Sequence, residues 1–276
     1  MQGPIAAYLC PPGFEGPRGL ALAREASLVL EAARFAGRTA ASRRGRRGLP
    51  YVTRSPEPLD ADPVLLIPGF MAGDYSLKLM GVHLRGEGYR TYGAQIRSNS
   101  GCLAETADRL ERRIESIVIR RERPVVLVGH SLGGLLSRGL AARRPDLVSG
   151  IVTMGSPLLA PSAVHKLLLL NVQLLMALQS RGFPKLMGAD CTGGECAQLM
   201  WDEARRPVPD ALPFTSIYSR RDGIMDWRAC LDPQAEAVEV PTSHIGMALD
   251  PVVLDAVSGA LADIRAGQRR RGIRSA

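Results

Sequence analysis

Near the middle of the chain stands Val125-Val126-Leu127-Val128-Gly129-His130-Ser131-Leu132-Gly133-Gly134, and this stretch decides the fold. Four apolar residues, three of them β-branched, run straight into a Gly-x-Ser-x-Gly turn, and residues 132–142 behind it repeat apolar side chains at helical spacing. Such a strand, turn and helix holds the serine in a strained backbone conformation with its hydroxyl clear of the sheet. Gly129 and Gly133 withhold side chains that would collide with the neighbouring strand and helix. The five-residue match alone is a weak signal, but its flanks make it a specific one.

A serine hydroxyl is a poor nucleophile at neutral pH and needs a neutral histidine as base, itself oriented by a carboxylate. The chain has four histidines. His83 falls within an expected surface helix, His130 belongs to the turn itself and His165 lies in a long insertion. His244 alone follows a strand late in the chain, which makes it the candidate base. The acid is expected after the preceding strand, in Ser219-Arg220-Arg221-Asp222-Gly223-Ile224-Met225-Asp226. Asp222 is preferred, because Gly223 behind it permits a tight turn aiming the carboxylate at the histidine, while Asp226 reads as a cap or the partner of an arginine. Backbone N–H groups of Leu132 and, from Ile67-Pro68-Gly69-Phe70-Met71, of Phe70 are the candidate donors to an oxyanion.

Outward from Ser131 the pattern is short apolar runs alternating with amphipathic helices, as in a parallel sheet covered on both faces. Strands are expected over 64–67, 90–96, 125–128, 148–154, 214–218 and 237–240, and helices over 75–86, 104–119, 132–142 and 251–264. Residues 157–212 are too long for a plain connection and read as an inserted helical cap. Its segment 165–178 is apolar nearly all round and therefore expected to be buried, as a lid walling an acyl site. This segment, or residues 20–38, also offers a transient membrane-surface contact. Met176 and Met187 suit an adaptable lipid pocket. Residues 1–62 read as a basic helical extension, with one helix over 20–39, followed by a Pro-rich linker. Residues 265–276 read as a basic tail.

Charge sharpens this division. The net charge is +8, but residues 1–54 carry net +6 and residues 265–276 net +5, so the body between them is mildly acidic. Arg43, Arg44, Arg46, Arg47 and Arg269, Arg270, Arg271 read as solvated ends, and without interleaved aromatics they argue against a nucleic-acid partner. Five cysteines are too few for a disulfide scaffold. Cys191 and Cys196 allow a small disulfide, and two free thiols explain the pair equally well. A zinc site would need further ligands, and Cys10, Cys102 and Cys230 are read as thiols without a role. No signal peptide and no apolar run of about 20 residues is visible, which favours a cytoplasmic location.

Pro68-Gly69-Phe70, the turn around Ser131, Gly155-Ser156-Pro157, Ser219 to Ile224 and Ser243-His244-Ile245-Gly246-Met247 together resemble the α/β-hydrolase superfamily, in its serine esterase and lipase branch. The resemblance covers 63–264 and implies an α/β-hydrolase fold, a mostly parallel sheet flanked by helices with a cap insertion. It implies a triad of Ser131, Asp222 and His244, a small-molecule or lipid ester substrate, and no cofactor or metal. Pro68 stands where many members carry histidine, which shifts the likeness toward lipase-like members. Branches that cleave haloalkanes or epoxides use an aspartate nucleophile, against which Ser131 speaks. The expected activity is hydrolysis of carboxylic esters of medium to long acyl chains through an acyl-enzyme. The same triad would serve an acyltransferase or thioesterase, and a non-catalytic scaffold of this fold would be expected to show a broken triad.

Overall fold

The computed structural model describes residues 6–45 and 61–274. The strands β1 (Pro63–Ile67), β2 (Arg90–Gly93), β3 (Val125–His130), β4 (Val148–Met154), β5 (Phe214–Tyr218) and β6 (Glu236–Glu239) form one sheet in the order β2-β1-β3-β4-β5-β6. Every neighbouring pair is parallel. The helices are α1 (Leu28–Gly45), α2 (Lys78–Gly86), α3 (Leu103–Arg121), α4 (Leu132–Arg143), α5 (Lys166–Ser180), α6 (Asp190–Gly193), α7 (Glu195–Arg205) and α8 (Pro251–Arg274). None among the described residues is long and apolar enough to cross a membrane.

Alternating side chains divide the core between the two faces of the sheet. Leu65, Ile67, Val125, Leu127, Ile151 and Phe214 pack with α3, α4 and α7. Val64, Leu66, Val126, Val128, Val152, Met154 and Ile217 pack with α2 and α8. All six residues of β3 are buried, which is why it reads in sequence as an unbroken apolar run. β2 stops at Gly93 rather than 96, because Gln95 takes a positive φ of 62° that breaks the extended backbone.

Both ends of the chain depart from the sequence reading. The expected helix over 20–39 is a 3-10 helix, Gly19–Ser27, continued by α1, and it is bonded to the body through Glu25 and Glu31. Arg34 pairs with the buried Asp250, and Arg38 grips Asp255 through two bonds of 2.7 Å. These arginines offset acids at the start of α8, so part of the N-terminal charge is spent internally. The Pro-rich linker, with Arg46 and Arg47, lies outside the described residues. α8 continues past 264 to Arg274, and Arg265 is fixed to Asp62 at 2.6 Å while stacking 3.9 Å above the Tyr89 ring.

The cap holds α5, α6 and α7 between β4 and β5. α5 is not buried all round: Leu168, Leu169 and Val172 face a cavity, whereas Leu167, Leu170 and Leu174 are exposed. A cap one helix deep can cover only one side of α5. Met187 lines the cavity, but Met176 instead accepts a hydrogen bond from the Thr192 hydroxyl.

Candidate active site

Ser131 stands between β3 and α4 with φ 53° and ψ −121°, the strained conformation expected of the turn. Close packing dictates its glycines. A Cβ at Gly129 would strike the backbone of Gly133 and Gly134, and one at Gly133 would strike the Ile67 carbonyl. The Ser131 N–H donates to the Met154 carbonyl at 2.9 Å, tying the turn to the end of β4. Leu132 opens α4, so its N–H lacks an intrahelical acceptor.

Ser131, Leu132 and Phe70 meet at one cavity of about 130 Å³. Its wall is apolar: α5 supplies Leu168, Leu169 and Val172, and α7 supplies Met200 and Trp201. Leu9, from the N-terminal segment, completes it. The loop carrying Phe70 sits close above the serine, since a Cβ at Gly69 would lie 3.1 Å from Ser131 Cβ. Asn99, unremarkable in sequence, clamps this loop. Its side-chain amide donates to the Pro68 carbonyl at 2.9 Å, its carbonyl accepts the Met71 N–H at 3.0 Å, and its N–H donates to the Ala72 carbonyl at 2.8 Å.

His244 follows β6 and is buried, with Nδ1 2.6 Å from Asp222 Oδ2. The other Asp222 oxygen accepts the N–H groups of Ile224 and Met225, each at 2.8 Å. Asp226 has no part in this bond. It caps the 3-10 helix Trp227–Cys230 and pairs with Arg228 at 2.6 Å. The remaining histidines are also accounted for: His83 meets Ser258 and Glu87 on the far side of α2, and His165 caps α5. The His244 ring lies over the end of β4, where a Cβ at Gly155 would come within 3.1 Å of its Nδ1. Ser131 and His244 therefore flank the same peptide.

Burial opposes a charged His244, but the Asp222 charge, the hydrogen bond to it and the Glu25 charge outweigh that, so its pKa is raised above 6.5. His130, which sequence assigns only to the turn, is the counterpart. Burial and the neighbouring His244 push its pKa down to about 3, so it stays neutral. Its Nε2 lies 3.0 Å from the His244 carbonyl, an acceptor, which makes that nitrogen the N–H and His130 a prop under the candidate base. Ser131 is the candidate nucleophile of this cavity. Burial pushes the Cys191 thiol, which lines it, up to about 12.

The largest omission of the sequence reading is the N-terminal extension. Glu25, on the 3-10 helix before α1, accepts the N–H of Gly223 at 3.0 Å, of His244 at 3.0 Å and of Ile245 at 2.9 Å. One carboxylate thus bridges the acid loop and the histidine loop. Glu31, wholly buried, accepts the Ser243 N–H at 2.7 Å and its hydroxyl at 2.6 Å. This also corrects the reason for Gly223. It does not adopt a positive φ; its missing side chain admits the Ala21 carbonyl and the Glu25 carboxylate.

Glu25→Gln keeps the shape but turns an NH2 toward an N–H and removes the charge. The expected result is a 10- to 100-fold lower kcat/KM, typical of a slightly misplaced catalytic group. The acid limb of the kcat/KM profile should also move to lower pH, because His244 as the candidate base must be neutral and a charge that raises its pKa is gone. A profile unmoved on the pH axis would show that Glu25 holds only backbone.

Residues 64–273 match the alpha/beta hydrolase family, and the chain belongs to that family. Among solved structures it is similar to the mature form of lipase BlEst2 from Bacillus licheniformis, with TM-score 0.57 and 13% identity over 73% of this chain and 92% of that one. It is similar to a soluble monoglyceride lipase variant from Saccharomyces cerevisiae bound to a substrate analog, with TM-score 0.52 and 16% identity over 75% and 86%. A putative epoxide hydrolase from Pseudomonas aeruginosa matches with TM-score 0.52 and 17% identity over 75% and 90%. At these identities the likeness is one of fold. Among curated proteins none matches the chain in sequence.

Proposed function

We propose that the protein hydrolyses carboxylic esters of medium to long acyl chains through an acyl-enzyme on Ser131. The observation that carries this reading is a serine at a strained strand-to-helix turn that opens into an apolar cavity beside a buried Asp222–His244 pair. Ser131 Oγ attacks the ester carbonyl while His244 Nε2 takes its proton. The Asp222 carboxylate holds the Nδ1–H tautomer and stabilises the imidazolium. The oxyanion is received by the N–H groups of Phe70 and Leu132, each such donor being worth about 3 to 4 kcal/mol at the transition state. His244 then gives the proton to the leaving alcohol, and water repeats the sequence in reverse to free the acid. The acyl chain lies against Leu168, Leu169, Val172 and Met200. The similar lipase structures support an ester substrate, and the apolar lining supports a fatty one.

The test is hydrolysis of p-nitrophenyl esters from acetate to palmitate, with labelling by a fluorophosphonate. Turnover is expected to peak beyond acetate, and Val172→Phe, which fills the cavity, to move the optimum to shorter chains. If no ester of any length turns over and folded protein resists the fluorophosphonate, the reading fails.

A further inference from the structure

Three of the five cysteines converge although the sequence keeps them apart. Cys102 precedes the first turn of α3, Cys191 lies in α6 and Cys196 in α7, the first and the last being 94 positions apart. Their sulfurs all lie within 4.8 Å of one another, with Cys191 Sγ 3.4 Å and Cys102 Sγ 3.7 Å from Cys196 Sγ. All three are free thiols. The sequence offered Cys191 and Cys196 as a pair short of ligands; the fold supplies the third.

We propose that Cys102, Cys191 and Cys196 form a binding site for one thiophilic, closed-shell metal ion, Zn2+ or Cu+, set in the cap wall of the cavity that Ser131 faces. Metal–sulfur bonds of about 2.3 Å at tetrahedral angles separate the sulfurs by about 3.8 Å, so the two shorter separations already fit and the third needs only a modest closure. An all-sulfur donor set selects such ions over Mg2+ or Ca2+. The Asp190 carboxylate is engaged with the Cys196 N–H, which it accepts at 3.3 Å, and three sulfur ligands leave a fourth position for an external one. Cys191 and Cys196 are buried while Cys102 is partly exposed, which gives an ion its way in.

The consequence is mechanical. A bound ion would tie the start of α3 to α6 and α7, and Leu103, Cys191 and Thr192 all line the cavity. Loading would therefore stiffen the wall against which the acyl chain is proposed to lie, without touching Ser131. Cys10, whose thiol donates to the Phe14 carbonyl, and Cys230, whose thiol donates to the Met225 sulfur, are internal controls.

The full chain, reduced and kept from oxygen, is titrated with Co2+ as a coloured stand-in for Zn2+, then with Zn2+ in competition, and separately with Cu+ against a chromophoric chelator. The expected result is saturation at one ion per chain, with thiolate-to-cobalt charge transfer and tetrahedral visible bands that Zn2+ abolishes, or the corresponding uptake of Cu+. Cys102→Ser, Cys191→Ser and Cys196→Ser should each weaken binding about tenfold or more, and Cys10→Ser and Cys230→Ser should leave it unchanged. Alanine variants repeat the test should the serine hydroxyls disturb packing. Ser131→Ala should bind as wild type does, which separates this site from the ester reading. No saturable uptake of either ion overturns the proposal, as does full affinity in Cys102→Ser. Loss of two titratable thiols to glutathione disulfide in a chain that takes up neither ion overturns it too, in favour of a disulfide pair.

Discussion

Ser131→Ala is expected to lower kcat/KM by about 10⁴- to 10⁶-fold and to abolish fluorophosphonate labelling, with the fold unchanged. The second half of that expectation rests on the backbone. Alanine keeps the Cβ, so φ 53° and ψ −121° cost it what they cost serine, and the change removes one oxygen and nothing else. Ser131→Gly should be just as inactive yet more stable, by about 1 kcal/mol, since glycine relaxes a conformation that a side chain makes strained. Thermal melts of the two variants beside their turnover therefore separate chemistry from strain. A rescue nucleophile is not at hand, because the thiol lining the cavity, Cys191, is held protonated by its burial. Turnover retained in the alanine variant would consequently mean that hydrolysis happens elsewhere on the molecule.

What made Ser131 legible in the sequence is that its context is local. Parallel strands buried on both faces must be apolar throughout, so β1, β3, β4 and β5 announce themselves, and the turn after β3 carries its own glycines. β6 is an edge strand with mostly exposed side chains, and its bounds were expected one residue late. The supports of the site could not be read, because each is a long-range contact carried by an ordinary residue. Glu25 meets the His244 N–H across 219 positions and Glu31 meets Ser243 across 212, and nothing near either glutamate marks it as buried. His130 looked like a variable position of the turn until its Nε2 was seen under the His244 carbonyl. Asn99 lies in a loop whose partner is 31 positions away. Apolar patterning was misleading at α5 for the opposite reason. Periodicity reports that a helix can bury every face, not that the fold supplies a neighbour for each.

Asp222→Asn is expected to cost about 10⁴-fold in kcat at neutral pH, and Asp226→Asn to cost little. The Asp222 geometry gives the reason. Its Oδ1 accepts two N–H groups, from Ile224 and Met225, so in the asparagine variant the carbonyl oxygen belongs there and the NH2 must occupy the place of Oδ2. That NH2 faces His244 Nδ1 across 2.6 Å and can only donate. It would therefore hold the imidazole with its proton on Nε2, the nitrogen proposed to accept the proton of Ser131. The variant is folded but carries the wrong tautomer. Losing the Asp222 charge also removes the leading influence that raises the pKa of His244 against its burial, so whatever activity remains should show an acid limb at lower pH. Asp226, by contrast, spends its oxygens on Arg228 and on the Glu15 N–H, and the Arg228 side chain is half exposed. Its neutralisation loosens a partly solvated pair and leaves His244 untouched. Equal losses in the two variants would remove Asp222 from the role of orienting acid, whereas a loss confined to Asp222→Asn, with the shifted limb, ties the base to that carboxylate.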